Sequence, residues 1–153
     1  MAYQKLQAGR ALAVIKNNSI NIPNVGGPTV SGTTDGTTAN KLVDSGAAFT
    51  SHLVGYIVYN TSDDTVARVT AVDSATQLTL SADIMATGEN YTLYADDNPG
   101  CVLYAGSGGN IRVLTTGNDD VTFVGVAPGA FIPVQVKRVF ASGTGPSDIV
   151  ALW

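Results

Sequence analysis

Histidine, tryptophan, glutamate and cysteine each occur once in the 153 residues, and only 13% of the chain is charged. Each scarcity excludes something. With Cys101 alone, no disulfide can close within the chain and a cysteine-rich zinc site is ruled out; the reading for Cys101 is a buried strand thiol. His52 can join a catalytic triad only if the fold gathers a nucleophile and an acid around it. No nucleophile elbow surrounds any serine: Ser107 lies between glycines, but Ala105 stands where that motif needs Gly. His52 is therefore read as a surface or hydrogen-bonded side chain. The charge fraction falls well below the ~25% usual in soluble domains, and the formal net charge is −4. A general nucleic-acid binder, which needs a basic stripe, is disfavoured; the adjacent pair Lys137–Arg138 is read as flanking a strand. The run "ALAVI" is far too short to span a membrane, and no signal-peptide pattern opens the chain, so synthesis in a cytoplasm is expected.

What is present is 44% hydrophobic, with Thr, Val, Gly, Ala, Asn and Asp in place of Glu, Lys and Met. Strand formers dominate and strong helix formers are few, which predicts an all-β fold. "RALAVIKNNSINIPNVGGP" reads as a strand, a polar turn at Lys16–Ser19 and a second short strand. Met1 to Gly9 are read as an arm. "TVSGTTDGTTA", almost without apolar residues, reads as a crossing between modules. From Lys41 to Tyr94 come four or five short strands with tight turns: "LVGYIVYN", "TVARVTAV", "QLTLS" and "NYTLY". Their spacing fits a small SH3-like barrel with a core of Leu42, Phe49, Val54, Ile57, Val69, Leu78, Leu80 and Leu93. A second meander follows: "CVLYA", "IRVLTT", "VTFVGV", "FIPVQVKRVFA" and "IVALW". Pro133 suits a strand edge or start. The apolar ending predicts a paired strand, with Trp153 in the core or against a neighbouring subunit.

The segment "GSGGN", Gly106 to Asn110, invites a nucleotide reading, which fails on its surroundings. A dinucleotide fingerprint needs a third Gly where Ile111 stands, and a helix where β-branched residues follow. A hairpin turn between Val102–Ala105 and Ile111–Thr115 is expected instead. The pairs Asp63–Asp64, Asp96–Asp97 and Asp119–Asp120 lie in predicted turns, where Asp caps its own backbone; "DDNPG" lacks the ligand spacing and terminal Glu of a calcium loop. Tyr56, Tyr59, Tyr91, Tyr94 and Tyr104 could stack on sugars or bases, but Tyr56 and Tyr59 fall on opposite faces of one strand. No catalytic, cofactor-binding or metal residue is expected.

The architecture read from these signals is all-β: a discontinuous β-sandwich or barrel-like host domain, residues 1–30 and 96–153, with a small SH3-like β-barrel inserted at 31–95. The C-terminal run resembles the core of tailed-phage and gene-transfer-agent structural proteins, in particular the head spike base family. The likeness rests on "LYAGSGG", "VTFVGVAPGAFIPVQVKRVFASGT" and the final "DIVALW", with "RALAVIKNNSINIP" matching that family's first strand. Together these cover roughly half of the chain. The middle part is similar to a module recurring in phage structural proteins.

The resemblance implies a non-enzymatic bacteriophage virion protein on the capsid exterior: a decoration (cement) protein or a head vertex protein that stabilises the shell. Its implied partners are the major capsid protein and copies of itself, as a trimer or a vertex ring, with no nucleic acid, membrane or cofactor. Low charge and many strand edges fit an assembly role. Phe123, Phe131, Phe140 and Trp153 are the candidate interface residues. The rival readings are a tail or fibre component, a module binding host glycans, and a virion-borne hydrolase.

Overall fold

A computed structural model describes residues 8–153. Among them the chain forms β1 (Ala11–Ala13), β2 (Val30–Thr33), β3 (Lys41–Val43), β4 (Ile57–Asn60), β5 (Thr65–Ser74) and β6 (Gln77–Leu80). There follow β7 (Asn90–Tyr94), β8 (Cys101–Ala105), β9 (Gly109–Thr115), β10 (Asp120–Val126), β11 (Ala130–Val139) and β12 (Ile149–Leu152), with a single 3-10 turn at Ser51–Leu53. The fold is all-β, as the shortage of helix formers requires. The chain divides into two compact units, one formed by the residues up to Gly26 together with Asn98–Trp153, the other by Gly27–Asp97. The arm read at Met1 to Gly9 lies largely outside the described residues.

The first unit is an antiparallel sheet in the order β1-β12-β8-β11-β9-β10. Period-two alternation builds its core: Cys101, Leu103 and Ala105 of β8, Ile111 and Val113 of β9, and Ile149 and Ala151 of β12 are all buried. Val14 and Ile22 close the same cluster from the segment before the second unit. That segment does not form the second strand expected at "NIP". Asn17 Oδ1 accepts the N–H groups of Ser19 and Ile20 at 2.8 and 2.9 Å, and Ile22 N–H donates to the Lys137 carbonyl at 2.8 Å. The turn satisfies its own donors, and Pro23 has none to give.

The hairpin expected around "GSGGN" is also corrected. β8 and β9 are not paired with each other; β11 lies between them. The early part of β11 pairs with β8 (Phe131 opposite Tyr104) and its later part with β9 (Val139 opposite Val113). Register breaks between Ile132 and Val136 and between Val136 and Arg138 bend the strand so that it serves both. Pro133 falls within the first break, where its missing N–H disturbs the ladder least. The glycines serve close approach: a Cβ on Gly106 would stand 2.8 Å from the Asp148 carbonyl oxygen, and Gly109, at φ +145°, packs under Pro146. The genuine hairpin is β9–β10, closed by Thr115 N–H donating to Asp119 O at 3.0 Å, with Asn118 at φ +69°.

The second unit is an antiparallel sheet in the order β2-β7-β4-β5-β6-β3. Leu42, Phe49, Leu53, Val69, Leu78, Leu80 and Leu93 form its core. Two expectations change here. Val54 is 52% exposed, because the strand starts only at Ile57 and Val54–Gly55 turn the chain out, Gly55 at φ +91°. "TVSGTTDGTTA" is not merely a crossing: its start is β2, an edge strand on β7. An edge strand covered on one face needs few apolar residues, so composition hid it. β4 is the reverse case, with all four residues buried.

Candidate interaction surface

The residues that carry chemistry are dispersed or locally satisfied. His52 is exposed, bonds through Nδ1 to the Thr50 hydroxyl, and meets the Tyr56 ring edge-on at 5.8 Å. Asp96 holds Arg68 at 2.5 Å. Asp120 takes Arg112 in a two-pronged bond, Nε to Oδ1 at 2.9 Å and Nη2 to Oδ2 at 2.6 Å. That bond keeps the Asp120 carboxyl below its ordinary range. Tyr91 is buried and donates to Asp44 Oδ2 at 2.7 Å; burial first, then Asp44, push its hydroxyl pKa up. Tyr59 and Tyr94 meet edge to face at 5.6 Å. Cys101 donates to the Val136 carbonyl at 3.2 Å, and burial raises its thiol to about 12. Among the described residues no three His, Cys, Asp or Glu side chains are placed to hold a metal ion, and no helix is long and apolar enough to cross a membrane.

The second unit carries an open pocket of about 340 Å³ lined by Asp63, Asp83, Ile84, Met85 and Glu89 among others. Asn60, fully buried, ties its walls together. Its amide donates to the Ile84 carbonyl at 2.7 Å and to Glu89 Oε2 at 2.8 Å, while its oxygen accepts the N–H groups of Ser62 and Asp63. Glu89 is held ionised foremost by the Ala86 N–H, at 2.6 Å. Asp63, bonded to Glu89 and facing its charge, keeps its proton to higher pH than usual.

The first sheet has an unusual outer face. Residues directly opposite across strands share a face, and the register gives two rows. Ala13, Val150, Tyr104 and Phe131 form one; Ala11, Leu152 and Val102 form the other. None of these side chains is charged. An antiparallel sheet with one buried face ordinarily turns polar residues outward; across β1, β12, β8 and the start of β11 the outward rows are apolar instead, whereas over β9 and β10 the same face carries Arg112, Arg138 and Asp120. Phe131 is 60% exposed, and its ring leans on Tyr104 at 5.4 Å. On edge strand β10, Val124 is exposed as well.

The four aromatic residues singled out from sequence occupy different places. Phe131 lies on this outer face. Phe123 is partly buried against the core. Phe140 is 9% exposed and flanked by guanidinium groups, Arg112 at 4.4 Å and Arg138 at 5.7 Å from its ring centre. Trp153 packs against the core, and its indole N–H donates to Asn98 Oδ1 at 2.9 Å. Val102, Val150 and Leu152 were missed as surface candidates. Their signal was strand parity: each alternates with a core residue and is itself apolar.

Comparison with protein-family models, with curated proteins and with solved structures finds no match to this chain.

Proposed function

We propose that this chain is a non-enzymatic structural protein of a tailed-phage virion, a decoration (cement) or head vertex protein on the capsid exterior. The observation that carries the reading is the uncharged part of the first sheet's outer face, over β1, β12, β8 and the start of β11, with Phe131 standing out of it. Such a face is costly to leave in water and gains by docking: apolar area buried contributes about 25 cal/mol per Å², and a stable contact covers roughly 800 Å² on each partner. In this reading the face seats on the major capsid protein across a joint between capsomers and holds the shell closed.

The test is copy number in purified particles, by quantitative peptide mass spectrometry against the major shell protein. Hundreds of copies mean a decoration protein spread over the lattice; a few tens or fewer mean a vertex protein or a tail part. Absence from particles overturns the reading. A paired test uses Phe131→Glu, a surface change expected to leave the thermal midpoint in place and weaken binding to stripped particles by about tenfold or more.

A further inference from the structure

Both sheets end on edge strands, and the four edges are not alike. In the second unit β2 and β3 are the edges. β2 has four residues. β3 has three, and its free side is taken: Gly36 bridges Val43, and the Asp35 N–H donates to the Val43 carbonyl at 3.0 Å. In the first unit β1 is an edge of three residues. β10 is the exception, with seven residues, five of them exposed. Its run from Val121 to Val126, "VTFVGV", holds neither charge nor proline. Sheet edges are ordinarily blunted by such residues, by shortness or by cover.

The β9–β10 register shows where the free backbone groups of β10 point. Thr122 stands opposite Arg112. Arg112 turns its own backbone the other way: its N–H donates to Thr144 Oγ1 at 2.9 Å, and its carbonyl accepts the Phe140 N–H at 2.9 Å. Arg112 and Thr122 are therefore a non-hydrogen-bonded pair, and the Thr122 N–H and C=O point out of the sheet. Period two gives the same direction to the backbone groups of Asp120 and Val124. The bulge between Phe123 and Val126 breaks the series, so the open ladder is Asp120 to Val124. Its one charge is already matched, because Asp120 holds Arg112 in a two-pronged bond.

We infer that two copies of this chain pair edge to edge through β10, antiparallel, with Thr122 on the two-fold axis, so that their first-unit sheets run on as one. A second copy is the occupant that fits, since the edge complements itself. In this register Thr122 faces Thr122, Val121 faces Phe123, and Asp120 faces Val124 of the second copy. Threonine pairs and aromatic–β-branched pairs are favourable cross-strand neighbours, and no two like charges are opposed. Val121, 40% exposed, and the partly buried Phe123 lie on the core face, opposite Val113 and Ile111. The pairing therefore continues the apolar core across the axis. A two-fold contact uses up both long edges and leaves only the three-residue β1 at either end, which closes the assembly as a dimer. The inference goes beyond the virion reading, which rests on the sheet's outer face, and either can fail without the other.

The experiment is sedimentation velocity on the full chain, paired with hydrogen exchange resolved by residue. The unmodified chain is expected to show a monomer–dimer equilibrium between about 10 µM and 1 mM, the range of a small, transient interface. Over that range the Thr122 and Val124 amides should gain protection, while those of Val121 and Phe123, which face β9, stay as they are. Thr122→Lys sets two lysines opposite each other on the axis, and Val124→Asp sets a second carboxylate opposite Asp120. Each is expected to weaken the dimer about tenfold or more. Circular dichroism and melting check that both variants fold; if Thr122→Lys does not, Val124→Asp, at a side chain 77% exposed, carries the test. A chain monomeric up to about 1 mM, a dimer whose Thr122 and Val124 amides gain no protection, or a dimer that these variants leave unchanged overturns the inference. Loss of the dimer through Phe131→Glu but not through these variants places the self-contact on the outer face, and overturns it too.

Discussion

Asn60 and Cys101 show how much of this molecule is settled by single side chains. Asn60 uses both amide hydrogens and its oxygen in four bonds, at zero exposure. Asn60→Ala takes one partner from the Glu89 carboxylate and leaves a carbonyl and two turn N–H groups without its amide, and is expected to cost about 2–4 kcal/mol in urea denaturation; an unchanged midpoint would mean that water replaces the amide. Cys101 gives a pH dependence. Its folded thiol titrates near 12 against an ordinary 9.0. The unfolded chain therefore loses its proton first as pH rises. The thiol's contribution is complete below about 9 and is lost as pH climbs toward 12. Stability should fall over that window more in the native chain than in Cys101→Ala, as read from urea midpoints at each pH. In the folded protein near neutral pH, Cys101 should resist thiol reagents until the chain unfolds.

At the scale of elements, alternation was legible and pairing was not. β8, β9 and β12 could be read off their period of two, and so could the core leucines of the second unit. The partner of each strand is set by contacts distant in sequence, and no local pattern reports that β11 separates β8 from β9. The glycines of "GSGGN" look the same whether they turn a hairpin or let another segment pass. Only the position of Asp148 beside Gly106 distinguishes the two. Gly106→Ala tests this: a hairpin glycine would tolerate Ala according to its φ alone, whereas here the new methyl meets backbone, and a loss of about 1–3 kcal/mol is expected by denaturation. The outer face was half legible. Phe131 was named from sequence, but its row with Tyr104 and Val150 needed the register.

At the scale of the whole molecule, each unit has its own core, so each should respond to its own substitutions. Leu103→Ala is expected to destabilise the first unit and Leu78→Ala the second, each by about 2–5 kcal/mol. Hydrogen exchange resolved by residue should show the loss confined to the substituted unit. Unfolding of the second unit turns it into a long loop within the first, a burden that grows only slowly with length. Replacing residues 27–97 by a short Gly-Ser linker should therefore leave the first sheet with its protected amides, and collapse of that protection would show the units to be one cooperative body. The pairing of β1 with β12 sets Ala11 opposite Leu152, and Gly9 N–H meets the Trp153 carbonyl at 2.6 Å. The polypeptide thus enters and leaves the first sheet at one corner. A passenger peptide fused before β1 and another fused after β12 would emerge side by side, and a few residues joining these points would make a closed circle that can be reopened elsewhere without parting the sheet.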